Sequence, residues 1–237
     1  MAAGPASLLS LLQLSDSAFP SGRYTLSYGL EALVQGGHLR TPSEGSRLIA
    51  MLGDSIRFGA APSDGLALAW AHRAAGRARD PDLELLTQVD QRLTAVKLPR
   101  EVREASARTG RAMLTTASAA IGGPALRDYA QCVKAGRSPG NHAVVVGLLS
   151  AQLGVPRMDA VIGELYAFSS SWVAAAVRLG LVDHRGAQAV LHRARPVIAA
   201  AASEVIDRDV AQISSSTPML DVMAMRHEEA ELRLFAS

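Results

Sequence analysis

The chain has 237 residues with 49% hydrophobic content, which is enough apolar surface for a sizeable core in one or two domains. Lys and Arg total 24 against 22 for Asp and Glu, and this net charge of +2 argues against the broad basic surface that nucleic-acid binding requires. The single cysteine, Cys132, excludes an internal disulfide and a paired-cysteine metal site, and it fits a reducing cytoplasm.

The start of the chain and its longest apolar run both argue against a membrane protein. Residues 1–14 lack the basic start and the small-residue cleavage pattern of a secretion signal, so we expect them to hold the first helix. The apolar run 143–155 is shorter than the roughly 20 residues that span a bilayer. We therefore expect a cytoplasmic chain without a membrane partner.

Glycine, proline and capping residues divide the chain into segments of helical length. Helices are predicted over 7–14, from about 24 to 35, from 44 to about 58, from 62 to about 78, after 80–82, from 99, through 129–132, over 141–155, from 156 through 178, and from 195–196 to the serine run before 218. No segment shows the sustained alternation of a strand. The predicted fold is all-α, with about nine to eleven helices in a single compact domain over residues 1–237.

The sequence lacks the common motifs of catalysis and metal binding. No Gly-x-x-x-x-Gly-Lys-Ser/Thr phosphate loop occurs. A zinc hydrolase motif needs two histidines one turn apart, whereas His227 has no such neighbour, and His184 and His192 are eight residues apart with a turn predicted at Gly186. His142, at the start of an apolar helix, fits a hydrogen-bonded structural histidine. No catalytic or metal residue is predicted, although acids that meet across a cleft cannot be read from spacing.

The last twenty residues are the most unusual stretch of the sequence. Pro218 follows a polar run at 214–217 and is suited to the first turn of a helix. Apolar and charged side chains then continue at roughly helical spacing to the end, whereas chain ends are ordinarily plain and frayed. We expect this segment to dock on the chain's own core or on a partner protein, and its methionines favour an adaptable partner surface.

Residues at both ends and in the middle of the chain resemble one known family. The segments 216–218, 224–228 and 233–237 resemble the C-terminus of the urease accessory protein UreF family. The matches to the family's N-terminal signature and to its Gly-x-His-Ala-x-x-x-Gly pattern are Gln13, Leu14, Asp16, Ser17, Pro20, Gly22, Ser27, Gly29, Leu30, Glu31, Gly140, His142, Ala143 and Gly147. Arg23 replaces the family's usual second glycine, and the segment 181–184 also departs from the family pattern.

The resemblance implies a non-enzymatic role. Members of this family are helical and usually homodimeric, and they bridge the D-type urease accessory protein, called H in some organisms, to the G-type GTPase. The assembly delivers nickel to apo-urease. By resemblance, this chain would be a scaffold and a regulator of the GTPase, and it would bind no cofactor itself because the partner complex handles nickel and GTP.

The resemblance also places the expected partner contacts at the two ends of the chain. The residues expected to contact the D-type partner are Arg226, His227, Arg233, Leu234 and Phe235. A second patch, facing the G-type partner or the dimer mate, comprises Tyr24, Tyr28 and Glu31. The segments 1–23 and 214–237 are expected to become ordered on partner binding.

A competing interpretation is a helical metal-binding or small-molecule enzyme that uses His142 with another histidine. Stoichiometric nickel binding by the isolated chain would favour this interpretation over a scaffold.

Overall fold

The computed structural model describes residues 4–23, 26–40, 42–76 and 81–228. Its helices are α1 (Pro5–Ser15), α2 (Leu30–Gln35), α3 (Gly45–Asp54), a π-helix (Ser55–Gly65), α4 (Leu66–Ala75), α5 (Leu83–Val96), α6 (Arg100–Ala120), α7 (Pro124–Lys134), α8 (His142–Gln152), α9 (Arg157–Arg178), α10 (His184–Val205), a 3-10 turn (Val210–Gln212) and α11 (Pro218–Glu228). These described ranges contain no β-strand and form one compact domain. The all-α prediction is confirmed.

The core is built around α8, which packs against α4, α6 and α9. Residues 142–150 of α8 are all buried, as expected from its continuous apolar sequence. At Gly147 the helix approaches α4 so closely that an added Cβ would lie 2.5 Å from the Leu68 carbonyl oxygen. The absence of a side chain at this glycine therefore sets the distance between the two central helices.

The predicted break before Pro62 is wrong, because α3, the π-helix and α4 form one continuous helix. Proline has no N–H to donate, and the wider π-helical turn carries the chain past it. Two carbonyls of this segment accept hydrogen bonds from the polar run near the C-terminus: Ser214 N–H donates to Pro62 O at 3.1 Å, and Ser216 N–H donates to Phe58 O at 2.8 Å. Hydrogen bonds from residues more than 150 positions later in the chain therefore support the irregular helix.

Two other predicted helix starts are also wrong. Helix α10 begins at His184 rather than near residue 195, because the Asp183 carboxylate accepts from Gly186 N–H at 2.7 Å and caps it. The helix then continues past Pro196. Helix α2 begins at Leu30 rather than near residue 24, because Tyr28 and Gly29 adopt left-handed conformations with φ of 53° and 79°.

Helix α9 is long and apolar enough to cross a bilayer by length and composition alone. Within the protein, 56% of its most apolar window is buried. Since core helices of ordinary globular domains meet the same criteria, this one helix is weak evidence for a membrane span.

Candidate functional site

The loop between α1 and α2, called here the N-terminal loop, and the C-terminal helix α11 meet at one cavity of about 170 Å³. The loop contributes Arg23 and Tyr28, and the C-terminal segment contributes residues between Ser215 and Ala224. The π-helix, α6, α8 and α9 supply the remaining walls. Two segments that are far apart in the sequence therefore line one cavity.

A buried cluster of three ionisable side chains lies at one end of the cavity. The Arg23 guanidinium donates to the Glu164 carboxylate at 2.9 Å, and its Nη1 also lies 3.0 Å from His142 Nε2. A carboxylate on α9 compensates the guanidinium inside the fold.

A second ion pair lies beside the first. Lys97, just after α5, donates to the Asp64 carboxylate of the π-helix at 2.6 Å, and the Ser63 hydroxyl donates to the same oxygen at 3.0 Å. Asp64 would be costly to bury alone, and the ammonium and hydroxyl together satisfy it. Each cation of the cavity thus has its own anion.

The pKa shifts in this cluster follow from burial and from these pairs. Burial lowers the pKa of His142 well below its ordinary value, and the Arg23 charge lowers it further, so this histidine is neutral near pH 7. Burial raises the pKa of Glu164 in spite of Arg23, whereas the pKa of Asp64 is lowered because Lys97 and Ser63 outweigh its burial. The pKa of Arg23 is raised because Glu164 and Tyr28 outweigh its burial.

The buried carboxylate of Asp90 on α5 accepts hydrogen bonds from the loop that leads to His142. It accepts from Tyr129 Oη at 2.8 Å, from Ser138 Oγ at 2.6 Å, and from the backbone N–H groups of Gly140 at 2.6 Å and Asn141 at 2.9 Å. These bonds fix the residues that lead into the first turn of α8. The orientation of the histidine therefore depends on a residue 52 positions earlier in the chain.

The outer wall of the cavity is α11, which packs on α2 and α6. Met223 and Ala224 are buried, and Leu220 Cδ2 lies 3.4 Å from where a Cβ on Gly29 would be. Near the end of the helix, Glu228 accepts from Glu101 N–H at 3.1 Å. Of the two docking modes expected for the C-terminal segment, docking on the chain's own core is what residues 218–228 adopt.

The outward face of α11 is also apolar. Met219, Val222 and Met225 are 58%, 46% and 42% exposed, and Arg226 is exposed beside them. Their spacing of three places them in one stripe along the helix. Since α11 already buries its other face, this stripe is a surface available to a second protein.

The structure describes only some of the residues expected at partner contacts. Tyr28 is half-buried at the cavity, with its ring 5.1 Å from that of Phe168 in an edge-on arrangement, and Glu31 is buried and accepts from Gln35 Nε2. Tyr24 and the side chain of His227 lie outside the described residues, as do Arg233, Leu234 and Phe235. Partner binding at all of these positions stays a prediction.

Sequence reasoning missed Asp64, Lys97, Asp90 and Glu164. Nothing in the neighbouring residues marks them as a site, because their partners are between 33 and 141 residues away. The one usable signal was Arg23 itself, since a guanidinium that becomes buried needs an anion. That signal does not say which anion.

The described ranges contain no group of three or more His, Cys, Asp or Glu side chains arranged to hold a metal ion. His142 contacts Arg23 and Glu164 rather than a second histidine, and His184 and His192 are both exposed on α10.

Comparisons with known proteins point to the same family as the residues at the two ends of the chain. A UreF family model matches residues 43–195. A urease accessory protein UreF 2 from Brucella canis is 34% identical over 230 residues, covering 96% of this chain and 91% of the relative. Proteins called urease accessory protein UreF from Trichodesmium erythraeum and an Arthrobacter species are 31% and 30% identical, and each alignment covers at least 96% of both chains.

Fold and site together define an all-α protein in which the loop before α2 and helix α11 line a mainly apolar cavity with two ion pairs at one end, and in which α11 also presents an apolar outer face. The comparisons make the class specific. The chain belongs to the UreF family of urease accessory proteins, and it is a urease maturation factor.

Proposed function

We propose that this chain is a non-enzymatic scaffold that bridges the D-type (or H-type) urease accessory protein and the G-type GTPase. In this role it brings nickel, carried by the partner complex, to apo-urease and regulates GTP hydrolysis by the G-type protein. The chain itself holds neither nickel nor GTP. It acts in the cytoplasm as a homodimer, away from nucleic acids and membranes.

The observation that carries this proposal is the exposed stripe of Met219, Val222 and Met225 on α11. Methionine is flexible and polarisable, and an amphipathic helix that presents anchors at regular spacing suits insertion into a groove of another protein. Arg226 lies beside the stripe, in the segment expected to contact the D-type partner. Because the same helix closes the cavity, partner binding at the stripe acts on the N-terminal loop through Leu220 and Gly29.

A second exposed apolar face supports self-association. Leu8, Leu9 and Leu12 on α1 are 48%, 67% and 58% exposed, although α1 packs on α9 with its other side. Three large aliphatic side chains on one short helix are more than scattered surface residues require. We assign this face to the homodimer contact.

The bridging role is tested by immobilising a tagged D-type protein and asking what it retains. The proposal predicts that the G-type GTPase is retained only when this chain is added. A variant truncated after Ser216 should neither bind the immobilised D-type protein nor bring the G-type protein to it. A matched surface variant, Gln188→Lys on α10, should behave like the wild type. Direct retention of the G-type protein without this chain, or full bridging by the truncated chain, would contradict the proposal.

A further inference from the structure

The cavity at the chain ends has the properties of a binding site for a small molecule. One end carries the two ion pairs, and the remaining wall is formed mainly by apolar side chains, among them Val102, Phe168, Trp172 and Leu220. Binding sites for small organic molecules share this composition, with a few polar groups set in apolar walls. The feature is independent of the partner-binding stripe, which lies on the opposite face of α11.

Among the buried polar groups of the cavity wall, the Trp172 indole N–H and the Ser106 hydroxyl have no hydrogen-bond partner in the described part of the chain. Trp172 is 1% exposed, and its indole N–H has no hydrogen-bond acceptor among the described residues. Tryptophan usually finds a partner for this group when it is buried. A ligand oxygen at this position would supply one.

The charges of the cavity indicate a neutral ligand. Arg23 is paired with Glu164 and Lys97 with Asp64, so neither cation is free to bind an anion. The remaining carboxylate of the lining, Asp221, accepts a hydrogen bond from the Thr217 hydroxyl at 3.3 Å. A charged ligand would lose its hydration without gaining a free counter-ion, and that desolvation is costly. A neutral molecule avoids this cost.

The size of the cavity suits a ligand of about one ring. A dry cavity of roughly 150 Å³ is known to hold a benzene molecule, and this cavity measures about 170 Å³. We propose that the cavity binds a small, neutral, one-ring molecule whose hydroxyl or carbonyl oxygen accepts a hydrogen bond from the Trp172 N–H. The apolar ring then packs against Phe168 and Leu220, and the bound molecule holds α11 against the N-terminal loop.

The test uses the fluorescence of Trp172. The chain has two tryptophans, so Trp70→Phe leaves Trp172 as the only indole. Titration of this variant with cyclohexanol should give a saturable fluorescence change. Cyclohexanecarboxylate, cyclohexylammonium and methylcyclohexane match the probe in ring size but carry a charge or lack the oxygen, and each should bind at least about tenfold more weakly, the effect of one hydrogen bond or one desolvated charge.

Two further variants, followed by calorimetry, separate the parts of the proposal. Trp172→Phe should weaken cyclohexanol binding and remove its advantage over methylcyclohexane, whereas Ala105→Leu should fill the cavity and abolish binding of both. The comparison of the four ligands with the Trp70→Phe variant remains a test of the proposal even if Trp172→Phe or Ala105→Leu fails to fold. A linear response to cyclohexanol, equal binding of the charged or oxygen-free analogues, or unchanged cyclohexanol binding by folded Ala105→Leu would each overturn the proposal.

Discussion

At the scale of single residues, Arg23 and Glu164 form a buried ion pair between two distant parts of the chain. Arg23 introduces a charge into the loop before α2, and Glu164 on α9 neutralises it 141 residues later in the chain. The compensation depends on tertiary structure, so the sequence could reveal the unusual arginine but not its partner. The same holds for Asp90, whose role in placing His142 has no local signature.

Removing one member of this buried pair should cost more than removing both. Arg23→Met leaves the Glu164 carboxylate buried without its cation, and the expected loss of unfolding free energy is about 3–5 kcal/mol. The double variant Arg23→Met/Glu164→Leu replaces the pair with apolar side chains and should recover most of that loss. Urea denaturation of the two single variants and the double variant measures both values, and purely additive losses would contradict a compensating pair.

The contribution of His142 to stability should fall as the pH drops from 7 to 5. The pKa of His142 is lowered in the folded protein, so the unfolded chain takes up a proton near pH 6.5 that the folded chain does not bind. The contribution of His142 to the free energy of unfolding is therefore fully present above about pH 6.5. Below that pH it is lost, with a slope of up to about 1.4 kcal/mol per pH unit from this one group. The pKa of His72 is also lowered by burial and adds to the trend.

The matched variant for this pH effect is His142→Gln, which keeps a hydrogen-bonding side chain but does not titrate. Denaturation between pH 5 and 7 should show a smaller slope for the variant than for the wild type. Equal slopes in the two proteins would mean that His142 titrates normally in the fold.

At the scale of elements, prediction succeeded where capping and spacing are local. Helices α1, α5, α6, α7, α8, α9 and α11 all begin near the expected caps or prolines. It failed at Pro62 and Pro196, because both prolines lie inside continuous helices. At Pro62 the nearby carbonyls pair with the backbone of residues 214 and 216, and no pattern of adjacent residues announces such a contact.

The close packing of α4 and α8 can be tested at Gly147. In Gly147→Ala the new methyl group would lie 2.5 Å from a backbone oxygen of Leu68, so we expect a loss of about 1–3 kcal/mol. Gly53→Ala in α3 is the matched control, because nothing lies within 4 Å of its added Cβ and alanine is the better helix former. Thermal denaturation should show opposite shifts for the two variants, and a stabilising Gly147→Ala would contradict the packing.

At the scale of the whole molecule, the loop before α2 and helix α11 line one cavity although they are far apart in the sequence. Helix α11 buries Met223 against the core while it presents Met219, Val222 and Met225 outward. The sequence predicted an amphipathic segment, but it could not say that both faces would be apolar. The outer face is the one that we propose for partner binding.

The homodimer contact that we propose on α1 can be tested with one substitution. Leu9→Lys places a charge in the centre of the exposed α1 face and should convert a dimer to a monomer, as measured by sedimentation or light scattering. The matched variant Gln188→Lys should leave the dimer intact. Dimers of unchanged stability with Leu9→Lys would exclude α1 from the contact.

The most direct test of the scaffold account is the affinity of the D-type accessory protein for a chain altered only on the outer face of α11. Val222→Lys keeps the buried face of the helix and adds one charge at the middle of the stripe, and Gln188→Lys adds the same charge on α10. We expect calorimetry to show at least about a tenfold loss of affinity for Val222→Lys and no loss for Gln188→Lys, since burying an unpaired charge costs well over 1.4 kcal/mol. Equal affinities for the two variants, with both folded, would show that the stripe is not the partner contact.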